Sequence, residues 1–211
     1  MPLPNRVSPF GNLFADTARG TLFGNRGGKF HRDDRTLGAR RWASRQWICC
    51  VLDFKGRRRD VWGKFYTELF FLDEVTALAA GHRPCFECRR KDAEAFAAAW
   101  GRAQGFATPP RAPAMDAVLH AQRLNGKAKR QQTLPIDGLP DGVMIVMSHA
   151  AWALRGERLL RWSPEGYDDW RARPQGIDVA VLTPPAIIAA LAAGYRPRWH
   201  DSAEGRTPPH T

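Results

Sequence analysis

The chain has 211 residues, 44% of them hydrophobic and eight of them Trp, which is enough apolar material to bury a core and excludes a disordered tail. Its formal net charge is +11 at pH 7, with Lys at only six positions and the rest of the cations Arg, a balance that points to a polyanionic partner. No run approaches the roughly 18 apolar residues of a membrane-spanning helix. The opening MPLPNRVSPFGNLFADTARG has no apolar stretch of the kind a secretory signal needs, so a cytoplasmic location is expected.

Residues 1–47 are rich in Gly and Arg, carry GNRGG and RDDR, and hold no lasting period, so they read as a basic arm with little regular structure. The pattern then changes. QWICCVLDF has the β-branched and aromatic content of a buried strand, KGRRR is a turn, and DVWGKFYTELFFL resumes as extended structure, which predicts a β-hairpin. Asp73 is placed as the N-cap of a helix to about Ala80, with Glu74 in its first turn and Gly81 as a left-handed C-cap. A second helix begins in RRKDAEAFAAAWGRAQG and carries Phe96 and Trp100 to near Gly101, closing a unit that spans 48–106.

The three prolines of FATPPRAPAM mark a linker, and 107–135 reads as this linker plus the amphipathic helix MDAVLHAQRL and the basic run NGKAKRQQ. Residues 136–203 read as a mixed α/β domain. Its strands lie in DGLPDGVMIVM, AAWALRG, ERLLRWSPEGY and IDVAVLTP, and its helix in PAIIAALAAGYRP is capped by Thr183 with Pro184 as first helical residue. Residues 204–211 are a tail. The fold class expected from this order is α+β. One echo is visible: ALAAGHRP at 77–84 recurs as ALAAGYRP at 190–197, with Arg198 and Asp201 where Cys85 and Cys88 would fall.

The sharpest chemical signal is Cys85 and Cys88 in GHRPCFECRR. Two sulfurs spaced Cys-x2-Cys can hold one face of a tetrahedral Zn²⁺, and in a reducing compartment this spacing favours metal or redox chemistry over structural disulfides. Two more donors must come from elsewhere. Cys49 and Cys50 are adjacent on a strand and point to opposite faces, so one should face the metal, with Cys50 preferred. The fourth donor is open between Cys49 on a bulged strand, His31 in GGKFHRDD, His82 and His120, with His31 the first choice because a Gly-rich arm can fold back.

TELFFLDEVTALAAGHRPCFEC resembles the second half of the zinc module of Ada-type DNA repair proteins, in which a strand and a helix patterned EAxxAGxRPCxxC end in two zinc cysteines. The likeness covers Tyr66 to Arg90. It implies zinc on Cys85 and Cys88 in a small α/β scaffold, here a β-hairpin with two helices, that touches nucleic acid. In that family two further cysteines lie upstream as Cys-x3-Cys, one of them a methyl acceptor. The adjacent Cys49 and Cys50 depart from this, so the acceptor chemistry does not carry over.

These residues predict a zinc-binding protein that contacts nucleic acid, DNA above RNA, with a link to DNA repair or processing and with zinc mainly structural. Arg57, Arg58 and Arg59 in the turn, Arg83, Arg89 and Arg90 beside the cysteines, and Arg40 and Arg41 in the arm are the candidate contacts, with Trp42, Trp47 and Trp62 as stacking partners. Three alternatives stand beside it. His31 with Asp33 and Asp34 could serve a metal-dependent nuclease, a zinc-bound Cys50 could accept an alkyl group, and Cys85 with Cys88 could be a redox pair.

Overall fold

The computed structural model describes residues 1–58 and 60–204. It is an α+β fold with two six-stranded sheets. In chain order the first part contains β1 (Arg6–Val7), β2 (Leu13–Phe14), β3 (Leu22–Arg26), β4 (Trp47–Val51), β5 (Leu69–Phe71), α1 (Glu74–Ala79), β6 (Arg83–Pro84) and α2 (Arg90–Gln104). The rest contains α3 (Ala112–Arg123), a small hairpin of β7 (Leu124–Asn125) and β8 (Ala128–Lys129), then β9 (Gln132–Pro135), β10 (Met144–Met147), β11 (Ala150–Arg155), β12 (Arg158–Ser163), β13 (Gly166–Ala172), β14 (Asp178–Val181) and α4 (Pro185–Ala192). Among the described residues no helix is long and apolar enough to cross a membrane.

The first sheet has the order β2-β1-β5-β3-β4-β6. Two expectations are corrected here. The 1–47 segment is not an irregular arm, because its strand β3 is fully buried and pairs antiparallel with both β4 and β5. For the same reason β4 and β5 do not form a hairpin with each other. Gly24 disguised this strand in the sequence, and the close packing requires it: a Cβ there would lie 2.0 Å from the Ile48 carbonyl oxygen.

The second sheet, β13-β12-β11-β10-β14-β9, is antiparallel throughout. Its strands alternate as period two demands. Ile145, Trp152, Leu154, Leu159 and Val181 share one cluster with Phe96, Trp100, Met115, Leu119 and Ile187 of α2, α3 and α4. Met144, Ala151, Ala153 and Leu160 share another with Val75 and Ala79 of α1. The proline-rich stretch therefore leads into a helix that buries Met115 and Leu119 in the same core as α2, and apolar contacts cross the boundary drawn through 107–135.

Helix α1 is buried at all six residues, and its N-cap is Asp73 as the sequence predicts. Asp73 Oδ1 accepts from Thr76 N at 2.9 Å and Thr76 Oγ1 at 2.8 Å, while Oδ2 accepts from Tyr167 Oη at 2.8 Å and His200 N at 3.1 Å. A buried carboxylate is tolerable only with such a full set of donors. The echoed Gly-Tyr and Gly-His pairs are one helix stop made twice. Gly81 and Gly194 take φ of 87° and 100°, and His82 N and Tyr195 N donate back to Ala77 O and Ala190 O at 2.9 and 3.0 Å.

Behind β4 lies a knot of cations. The Arg26 and Arg123 guanidiniums sit over the Trp47 ring at 4.0 and 3.9 Å, and Lys129 Nζ donates to the Ala79 carbonyl. Guanidiniums keep their protons in protein interiors, so Lys129 yields: burial, then Arg26 and Arg123, push its pKa down to about 7. The unfolded chain thus binds the extra proton above that pH, and stability rises as pH climbs from about 7 toward the ordinary lysine value. Chemical denaturation at pH 7 and pH 9 should show the wild type gaining stability relative to Lys129→Met. A constant difference between the two proteins would show that Lys129 remains charged.

Candidate metal centre

Strands β4 and β6 run parallel, with Ile48 opposite Arg83 and Cys49 opposite Pro84, and Cys85 N donates to the Cys49 carbonyl at 3.0 Å. This pairing delivers the Cys-x2-Cys turn to the side of β4. The turn is closed by Arg89 N donating to Cys85 O at 3.0 Å and leads directly into α2. Glu87 N also points at Cys85 Sγ, at 3.4 Å.

The outcome is a trio of sulfurs. Cys50, Cys85 and Cys88 place their Sγ atoms within 4.8 Å of one another, and among the described residues this is the one group of three or more His, Cys, Asp or Glu donors so arranged. Sulfurs about 2.3 Å from one tetrahedral ion lie roughly 3.8 Å apart, so the trio can hold a metal ion. The three thiols share protons unequally: hydrogen bonds with Cys50 and Cys88 pull Cys85 far down, and the bond with Cys85 drives Cys50 up. A cluster that stabilises thiolate at one corner is prepared for a cation.

Alternation along β4 sends the neighbouring Cys49 the other way. Its Sγ accepts from Arg89 Nη1 at 3.1 Å, packs with Leu69 and Phe71, and is no member of the trio. The first-choice histidine also lies elsewhere. His31 is buried with its ring stacked 5.0 Å from Trp62 and its Nδ1 2.8 Å from Thr67 Oγ1. His82 contacts Arg26 Nε through Nε2, and His120 lies beside Arg123. Burial holds the His82 ring well below its ordinary pKa, and Arg26 and Arg123 push the same way.

The trio lies on the wall of a cleft of about 1010 Å³, whose lining also includes Phe54, Arg57, Arg58, Lys64, Phe65, Tyr66 and Phe86. The arginines singled out in the sequence divide sharply around it. Arg57 and Arg58 line it, although Arg57 is paired with Glu87 at 2.7 Å. Arg59 lies outside the described residues. Arg83 also lines the cleft but is only 1% exposed, and Arg89 is 3% exposed, so both guanidiniums are held inside the protein by ion pairs. Arg83 grips Asp116 with two bonds of 2.8 Å. Arg89 reaches Glu74 at 2.6 Å and Asp92 at 2.8 Å. Arg90 is exposed and pairs with Glu94, Arg40 is exposed away from the cleft lining, and Arg41 folds back onto the Gly38 and Arg40 carbonyls.

The stacking candidates are corrected too: Trp47 and Trp62 are buried and Trp42 packs on Trp47. The exposed rings on the cleft lining are Phe65 and Tyr66, which carried no signal beyond their place in a strand-like run. The nuclease arrangement does not assemble, because His31 points at Thr67, Asp33 binds Lys29 at 2.5 Å and Asp34 caps Thr36. Searches of protein families, curated proteins and solved structures return no match to this chain.

Two tests follow from this geometry. Titration with Co²⁺, whose sulfur-to-metal absorption reports bound thiolates, should lose intensity and affinity in Cys50→Ser, Cys85→Ser and Cys88→Ser but stay intact in Cys49→Ser and His31→Ala. Arg89→Met should cost about 3–5 kcal/mol in urea unfolding by leaving the buried Glu74 carboxylate without its cation. A loss below about 1 kcal/mol would show that Glu74 is satisfied without its ion pair.

Proposed function

We propose that this is a zinc–thiolate protein that binds nucleic acid, DNA foremost, with Cys50, Cys85 and Cys88 holding the ion and the cleft beside them receiving the strand. The observation that carries this reading is the shared location of two features. A three-sulfur cluster lines the same 1010 Å³ cleft as Arg58 and Lys64, two exposed cations with no ion pair among the described residues.

Zinc is the ion these donors favour. Thiolates are soft ligands, and zinc takes sulfur donors in tetrahedral structural sites. Bound zinc would keep all three sulfurs deprotonated, and its binding free energy would add to that of folding. The resemblance of Tyr66 to Arg90 to the Ada-type zinc module supports the same ion, since β5, α1 and the Cys-x2-Cys turn follow in the expected order. It also carries the link to DNA repair or processing. A plain dithiol redox pair is disfavoured by Cys50, a third sulfur within reach of both others.

Two of the three acidic residues that line the cleft are paired with arginines, and the third, Glu68, is buried. Glu87 is neutralised by Arg57 at 2.7 Å, Asp60 lies 3.6 Å from Arg35, and Glu68 is bound by Trp62 N at 2.7 Å. Each phosphate contact by a free cation adds salt-dependent affinity.

The purified protein should carry about one equivalent of zinc and bind labelled DNA with an affinity that falls steeply with salt. Arg58→Ala with Lys64→Ala should weaken that binding and flatten the logarithmic salt slope by roughly 1.4, at about 0.7 per lost contact on a single strand. Absence of zinc, or DNA binding untouched by the double substitution, would overturn the reading.

A further inference from the structure

The loop between β4 and β5 folds in an unusual way for so aromatic a segment. Trp62 adopts φ 57°, a left-handed conformation costly for a bulky residue. It is held there by Glu68, whose Oε2 accepts from Trp62 N at 2.7 Å and whose carbonyl accepts from Trp62 Nε1 at 2.9 Å, and by the stack on buried His31. The anchor turns the chain outward immediately afterwards. Lys64 is exposed, and Phe65 and Tyr66 stand 77% and 52% exposed on the lining of the cleft that contains the sulfurs.

Two neighbouring exposed aromatics on an anchored loop are poorly explained by packing. Among the described residues neither ring makes an aromatic or cation–π contact, whereas Phe54 in the same cleft is already covered by Lys55 and Arg57 at 5.3 and 5.2 Å. Exposed apolar surface beside a functional site marks an interaction surface. Its neighbours specify the partner: Arg58 and Lys64 are exposed cations with no ion pair among the described residues, so the occupant is anionic as well as flat-faced. Unpaired bases with their phosphates meet both demands, because every base offers a π-face once it leaves the duplex.

We infer that the cleft binds single-stranded nucleic acid, with Phe65 and Tyr66 as stacking platforms for successive bases and Arg58 and Lys64 on the backbone. This rests on the proposed function and deepens it by specifying an unpaired strand. Stacking would bring bases to the mouth of the sulfur cluster. The pre-set loop would lower the ordering cost, since Trp62 is anchored before the strand arrives.

Fluorescence anisotropy with the full, zinc-loaded chain tests this, using a labelled pyrimidine oligonucleotide alone and in its duplex. The single strand should bind about tenfold tighter than the duplex, as DNA or as RNA. Phe65→Ala and Tyr66→Ala should each weaken it by about tenfold, within the range of base stacking, with zinc content and thermal unfolding unchanged. The conservative Tyr66→Phe should retain affinity. Binding of the duplex as tightly as the strand, or alanine variants that bind like wild type, would overturn this inference while leaving nucleic-acid binding in place. Failure of both forms to bind would overturn the parent reading with it.

Discussion

The short parallel pairing of β4 with β6 is the contact on which the site depends. It spans two register pairs, yet through the Cys85 N to Cys49 O hydrogen bond it sets a turn from one end of α1 against a strand from a distant part of the chain. Parallel pairs need a crossover. Here the crossover contains β5 and α1, so the sheet, the buried helix and the cysteine turn are joined through one pairing.

A buried polar network beneath the turn keeps this arrangement in register. Glu74 in the first turn of α1 accepts from Tyr195 Oη and Arg89 Nη2, both at 2.6 Å, and from Arg198 N at 2.9 Å. Arg89 follows Cys88 directly and also reaches Cys49, so one guanidinium ties the cysteine turn, the strand behind it and α1 into a unit. Tyr195 and Arg198 belong to the segment after α4. The C-terminal half therefore supplies part of the support for a centre whose donors all lie in the N-terminal half.

Local chemistry was readable where the physics is local. Asp73 as a cap, Gly81 as a left-handed stop, the Cys-x2-Cys turn and the opposite facing of Cys49 and Cys50 follow from neighbouring residues and from period two. Strand β3 was hidden because Leu-Phe-Gly-Asn-Arg has weak β-propensity, and it is a strand because β4 and β5 pair with it on both sides. Burial of Arg83 and Arg89 was equally hidden. A basic side chain reads as a surface contact until its carboxylate, from another helix, is known.

A Cys-x2-Cys turn after a capped helix in a basic α+β chain was legible from residue order, because spacing and capping act over a few residues. Only long-range packing settles which third sulfur joins that turn, which arginines are consumed by buried carboxylates, and which aromatic rings stand exposed at the cleft. These outcomes depend on contacts between residues far apart in the chain, where packing outweighs any local preference.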